Sequence, residues 1–281
     1  MIRKIGFALL AVLVVGATFW ILHTRQAVKQ TALSAKLDQV VSVTHEPVLD
    51  CAQIAAQRPF VILALGQSNA GNHGEPTSPS HAPVMLFADG KCIMGTDPLP
   101  GSTGSGGSIW SRLPHNLLTT DLHRPVVLSV MGIDATLVAD WTSDQSPLRQ
   151  RLTDRVKSMK ALGLLPQVIL WQQGEADSRM GTTGEAYKVG LDRLAAALTQ
   201  AGSDAPIVTA YSTVCHSTPA ANIRTAITAQ STQKSRFKVG PDTDSLNDAT
   251  MRFDKCHFSA HGLDHAAALW AKALQLIFAS I

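Results

Sequence analysis

Apolar positions along this chain fall into two kinds of run, and their alternation predicts the architecture. Short continuous runs occur at Phe60 to Leu65 (FVILAL), Val126 to Met131 (VVLSVM), Val168 to Trp171 (VILW) and Ile207 to Tyr211 (IVTAY). Apolar runs of this length without polar alternation are the signature of strands buried on both faces. Pro125, Pro166 and Pro206 stand just before three of them, where proline opens a strand without removing a ladder hydrogen bond. Helix-length amphipathic stretches lie between, at about 108–120, 147–163, 184–202 and 218–234, and 260–280 predicts a closing helix. Strands alternating with helices predict βαβ units, a central parallel sheet and a three-layer α/β/α sandwich over residues 58–281. The Gly/Ser segment 101–108 (GSTGSGGS) is expected as a loop of that one domain, because it runs straight into a helical stretch.

A different pattern occupies the N-terminus. Ile5 to Leu22 carries no charge and follows Arg3 and Lys4. As a helix it would span about 27 Å, close to the ~30 Å hydrocarbon core of a bilayer. The run ends in Phe19, Trp20, Ile21 and Leu22 rather than in a small-x-small cleavage site, which favours an uncleaved signal anchor over a removed signal peptide. Residues 1–22 are therefore expected as a transmembrane helix and 23–57 as a tether. The body is expected to be exported, in the periplasm or another extracytoplasmic space, and held to the membrane through that helix.

Composition narrows the partners. The 281 residues are 45% hydrophobic and 16% charged, with a formal net charge of +3. That is an ordinary globular balance, which excludes full-length disorder, and so small a charge supplies no basic stripe for nucleic acid. The four cysteines, Cys51, Cys92, Cys215 and Cys256, lack metal-ligand spacing, so no metal site is expected. In an exported domain they allow two disulfides in three possible pairings. Coarse topology favours Cys51 with Cys92 and Cys215 with Cys256, with four buried thiols as the alternative.

Ligands of open α/β sheets bind outside the carboxyl ends of the strands, so the segments there carry the chemistry. Gly66-Gln67-Ser68-Asn69 follows the first strand, Gln172-Gln173-Gly174-Glu175-Ala176-Asp177 the third, and Asp254-Lys255-Cys256-His257 precedes the closing helix. A serine at a strand-to-helix turn presents its N–H where a developing oxyanion is favoured, although serine is also a common N-cap. An aspartate three residues before a histidine can supply a base and the group that orients it.

Together these segments resemble the blocks of the SGNH hydrolases, and within them the sialate O-acetylesterase-like carbohydrate esterases. The resemblance covers residues 58–280. It implies a flavodoxin-like fold, no metal or other cofactor, and a triad of Ser68, His257 and Asp254 that removes acetyl or other short acyl groups from carbohydrate through an acyl-serine intermediate. By the same resemblance the oxyanion hole combines the Ser68 N–H, the Gly106 N–H of a second block (Gly104 to Ser108) and the Gln173 side-chain amide. Gln67, Asn69 and Glu175 are expected to tie the loops together. His73, Glu75 and His81 lie in the insertion after Ser68, as solvated side chains or as the lining of a sugar pocket. The sequence departs from the family pattern at Gly132-Ile133-Asp134-Ala135, at Ala176 and at Trp110. An O-acyltransferase acting on glycans would use the same three residues. A non-catalytic glycan-binding subunit of a polysaccharide-export complex would not need all of them.

Overall fold

The computed structural model describes residues 20, 24, 27–75, 82–117 and 124–278. Its centre is an eight-stranded sheet. The strands are β1 (Val48–Leu49), β2 (Phe60–Gly66), β3 (Val84–Ala88), β4 (Lys91–Gly95), β5 (Val126–Gly132), β6 (Val168–Gln172), β7 (Ile207–Tyr211) and β8 (Phe237–Asp242). Spatial order is β1-β4-β3-β5-β2-β6-β7-β8, with antiparallel pairing only where β4 meets β1 and β3. The sheet is therefore mostly parallel, as the apolar runs predict. Without the edge strands β1, β4 and β3, the remaining five follow the order 2-1-3-4-5. That order reverses at β2, so the carboxyl end of β2 is the topological switch point, where ligands of such sheets bind.

Helices flank the sheet: α1 (27–37), α2 (Cys51–Ala56), α3 (Leu113–Leu117), α4 (Val138–Thr142), α5 (Pro147–Ala161), α6 (Glu175–Arg179), α7 (Gly184–Ala201), α8 (Ala221–Gln233) and α9 (Ala260–Phe278). Side chains of β2 alternate between two cores, which is what covering both faces of a strand requires. Val61, Leu63 and Leu65 pack with Leu152 and Val156 of α5 and Leu191 and Leu194 of α7. Phe60, Ile62 and Ala64 pack with Leu263, Ala267 and Trp270 of α9. The arrangement is that of a three-layer sandwich.

Three departures from the sequence reading have physical causes. First, residues 27–57 are not a tether but part of the domain. Leu33 and Val40 enter the core, Val41 exchanges backbone hydrogen bonds with Gly101 and Ser102, and β1 pairs with β4. Second, β3 and β4 form a hairpin, closed by Asp89 and Gly90 in the left-handed region, which extends the sheet beside β5. Third, the stretch expected as helical over 108–120 is helical only at Leu113–Leu117, residues 118–120 lying outside the described part. Among the described residues no helix is long and apolar enough to cross a membrane. The apolar run 5–22 lies outside them except for Trp20.

Candidate active site

The carboxyl end of β2 is turned sharply by Gly66. Its φ of +149° suits glycine, and a Cβ there would lie 2.0 Å from the Gln172 carbonyl oxygen on β6. The turn delivers Gln67 and then a single 3-10 turn, Ser68–Ala70. Ser68 is nearly buried, yet its hydroxyl makes no hydrogen bond among the described residues, and no side-chain cap opens the 3-10 turn. N-capping therefore does not account for this serine.

Asp254 and His257 meet as a pair. His257 Nδ1 lies 2.7 Å from Asp254 Oδ2, while Asp254 Oδ1 accepts from the backbone N–H of His257 at 2.6 Å and of Cys256 at 2.9 Å. Partial burial pushes the Asp254 carboxyl up, but these hydrogen bonds and the neighbouring imidazole hold it below the ordinary carboxylate range. Asn69, next to Ser68, donates to the Cys256 carbonyl at 3.2 Å, and the ring of His73 stacks on His257 at 5.6 Å. The serine turn and the histidine loop are thereby neighbours. No hydrogen bond joins the Ser68 and His257 side chains among the described residues, and His257 Nε2 lies 4.0 Å from Cys256 Sγ. Catalytic hydrogen bonds are often long before substrate binds and tighten in the complex.

Glu175 ties the same segments from below. It is fully buried, and Oε1 accepts from Asn69 and from Ser212, each at 2.8 Å, while Oε2 is buried without a partner. Burial pushes its pKa up to about 7, against the hydrogen bonds from Asn69 and Ser212 and the charge of Arg252. Below its ordinary value of 4.5 both folded and unfolded chains carry the proton. Between 4.5 and about 7 only the unfolded chain ionises, so stability falls as pH rises, and it levels off above that. Glu175→Gln should therefore remove a loss of roughly 3 kcal/mol over that window. Urea unfolding of both proteins at pH 4.5 and pH 8 checks this: equal pH slopes would show that Glu175 does not titrate there.

Two residues expected in the oxyanion hole are placed elsewhere by the structure. The Gly106 N–H is committed to the Asn72 carbonyl at 2.7 Å, and Gly106 is wedged so closely that a Cβ would lie 2.0 Å from Gly74 O. Gln173 is wholly buried, and the two hydrogens of its amide are shared among three protein acceptors, Asp177 Oδ2 at 2.5 Å, Thr136 O at 3.0 Å and, more weakly, Gln67 Oε1 at 3.3 Å. Its own oxygen accepts from Tyr187. Neither donor is available to an oxyanion; Gln173 and Asp177 brace the loop, Asp177 also accepting from the Val138 N–H at 2.9 Å.

The remaining candidates sort by their contacts. Glu75 caps the start of α9 by accepting from the Ala260 N–H, and Trp110 donates to Ala70 O, so both are structural. His73 is held by Thr103 Oγ1 at 3.0 Å, and burial lowers its pKa, which favours the neutral ring against His257. His81 lies outside the described residues. Asp134 belongs to a link that sequence reasoning missed: Lys36 of α1 bonds its carboxylate at 3.2 Å, which draws the N-terminal segment to the rim of the site.

Cys51 is bonded to Cys92 and Cys215 to Cys256. The second bridge places a sulfur within the Asp254-to-His257 loop. Cys215, His216 and Cys256 come close enough to suggest a metal cluster, but both sulfurs are consumed by the bond to each other. Cys215→Ala/Cys256→Ala should cost about 2–4 kcal/mol of stability, typical for a lost native bridge. It should also lower turnover by up to about a hundredfold, the price of misplacing a catalytic group by an ångström. Melting curves and kcat on one acetyl ester measure both, and unchanged turnover would detach the bridge from the site. Cavities of about 520 Å³, beside Asp144 and Arg149, and about 610 Å³, beside Val84 and Pro114, lie away from Ser68 and hold no comparable set of groups.

Residues 60–275 match the carbohydrate esterase family described as sialic acid-specific acetylesterase. A solved structure of a protein from Arabidopsis thaliana is similar with a TM-score of 0.63 at 17% identity, over 78% of this chain and 99% of that one. A Clostridium thermocellum family 3 carbohydrate esterase is similar with a TM-score of 0.51 at 12% identity, over 79% and 98%. At such identities the two structures speak for the fold. No curated protein sequence matches the chain.

Proposed function

The chain belongs to the sialic acid-specific acetylesterase family of carbohydrate esterases and is a carboxylic ester hydrolase; on that premise we propose that it removes O-acetyl groups from sugars or polysaccharide by a serine mechanism on a flavodoxin-like fold. Ser68 attacks the ester carbonyl, and His257 Nε2 takes its proton. Asp254 holds the imidazole in the tautomer whose Nε2 can accept and stabilises the imidazolium that forms. Collapse of the tetrahedral intermediate expels the sugar oxygen, which receives the proton from His257 and leaves an acetyl-Ser68. Water, deprotonated by the same imidazole, then releases acetate.

The observation that carries this reading is the 2.7 Å contact of Asp254 with His257, in a loop joined to the serine turn through Asn69. A binding subunit has no use for an unpartnered serine hydroxyl beside an oriented histidine. Two disulfides suit an oxidising compartment, which supports an exported domain.

The test is acetate release from an acetylated polysaccharide by the purified domain, with and without a non-acetylated glycan, alongside labelling of Ser68 by a fluorophosphonate. Labelling together with acetate release supports the hydrolase. Transfer of acetyl to the added glycan in place of acetate would make the protein an acyltransferase. An unlabelled, inactive domain would favour a binding role.

A further inference from the structure

With the Gly106 N–H and the Gln173 amide both committed elsewhere, the Ser68 N–H needs a partner donor, and the structure offers one in the residue beside it. We infer that the side-chain amide nitrogen of Gln67 is the second donor to the ester oxyanion. The inference rests on the serine mechanism proposed above and adds to it a residue expected only to tie loops together.

Gln67 is almost completely buried at the carboxyl end of β2. Its Oε1 accepts from the Ala176 N–H at 3.0 Å and from Gln173 Nε2 at 3.3 Å. Both partners are donors, so the atom facing them must be the oxygen, and the amide cannot be turned over. Capping the first turn of α6 accounts for that oxygen and leaves the nitrogen unexplained. Gln67 Nε2 has no protein partner among the described residues, and it is not one of the buried unpartnered atoms either. The nitrogen therefore opens to solvent at the site while the rest of the side chain is buried, so a ligand oxygen can replace the water that it would otherwise bind. A donor left open, rigidly oriented and one residue from the nucleophile, is placed to be satisfied by a ligand.

The bracing around it explains the expense of burying so many polar groups nearby. The single Tyr187 hydroxyl proton is shared between the backbone and side-chain oxygens of Gln173, Asp177 and Thr136 take up most of the Gln173 amide, and its weaker contact with Gln67 Oε1 steadies Gln67. A donor fixed before the reaction needs no reorganisation when charge develops, which is where such donors gain their effect. Gln173 is thus a positioning residue and Gln67 the group that touches the reacting oxygen.

Gln67→Glu tests the assignment, because its carboxylate keeps an acceptor toward Ala176 and Gln173 but has no N–H to give. The expected result is a kcat lower by ~10²–10³ with KM changed less than about threefold. Affinity for methylboronic acid, whose adduct on Ser68 carries a tetrahedral oxyanion, should fall in parallel. A crystal structure of the wild-type boronate adduct gives a readout independent of how the variant folds: one boron-bound oxygen should lie within hydrogen-bond distance of Gln67 Nε2. An adduct whose oxygens all lie beyond that distance overturns the inference, as does a folded Gln67→Glu with kcat near wild type. A raised KM at unchanged kcat would make Gln67 a substrate contact and overturn it too. Failure of the underlying mechanism looks different: no boronate adduct forms on Ser68, and Ser68→Ala retains turnover.

Discussion

Ser68→Ala is expected to reduce kcat on a small acetyl ester such as p-nitrophenyl acetate by about 10⁴–10⁶ and to leave melting essentially unchanged. The two halves of this result come from the same observation. The Ser68 hydroxyl has no hydrogen-bond partner among the described residues, so removing it orphans nothing and leaves no polar atom to be desolvated. The turn that carries it is set by Gly66 and by backbone bonds from Ala70 N–H to Gln67 O and from Gly71 N–H to Ser68 O, none of which involves the side chain. A serine retained for stability would show the opposite pattern, with a lowered melting temperature and little change in rate. Residual hydrolysis above background is compatible with the mechanism, since the donors around the oxyanion survive the substitution. Turnover near wild type in a folded Ser68→Ala would remove the serine mechanism altogether.

The four central strands were legible because both of their faces are buried, which writes them as uninterrupted apolar runs. β8 was not, because only Phe237 and Pro241 along it are buried, so an edge strand with polar Lys238 and exposed Val239 has no strand-like period. The β3–β4 hairpin did leave a signal, the Asp89-Gly90 pair between apolar runs, which is a recognised two-residue turn. Residues 27–57 misled for a different reason: α1 buries only Leu33 fully, with Leu37 partly packed beside it and Val28 left exposed, so it has no clean apolar face, and it is tied down also by ion pairs of Lys29 with Asp140 and Lys36 with Asp134. Long-range pairs of this kind have no local period. At the site, the segments at the strand ends were legible as chemistry, but the division of labour within them was not. Gln67 and Gln173 are the same residue type in adjacent loops. Only the positions of Thr136 O, Asp177 and the Ala176 N–H decide which amide has a hydrogen left to donate.

Asp254→Asn should lower kcat by about 10⁴ with little effect on folding or on KM, and the reason lies in how the two carboxylate oxygens are used. Oδ1 accepts from two backbone N–H groups, those of Cys256 and His257. In the asparagine variant only the amide oxygen can occupy that position, because an NH₂ there would face two donors. The NH₂ is therefore forced onto the site of Oδ2, 2.7 Å from His257 Nδ1. Facing a donor, Nδ1 must become the acceptor and the ring proton moves to Nε2. That tautomer cannot take the proton of Ser68, so the imidazole is present, correctly placed and unable to act as a base. Because both backbone hydrogen bonds survive, the loop keeps its shape and the melting temperature should stay within a few degrees of wild type. Asp254→Ala differs in a measurable way: it leaves the Cys256 and His257 N–H groups without their acceptor, so it should lose stability as well as rate. Kinetics and thermal melts of the two variants on one ester separate these effects. If Asp254→Asn turns over like the wild type, the histidine does not depend on Asp254 for its tautomer, and another acid orients the base.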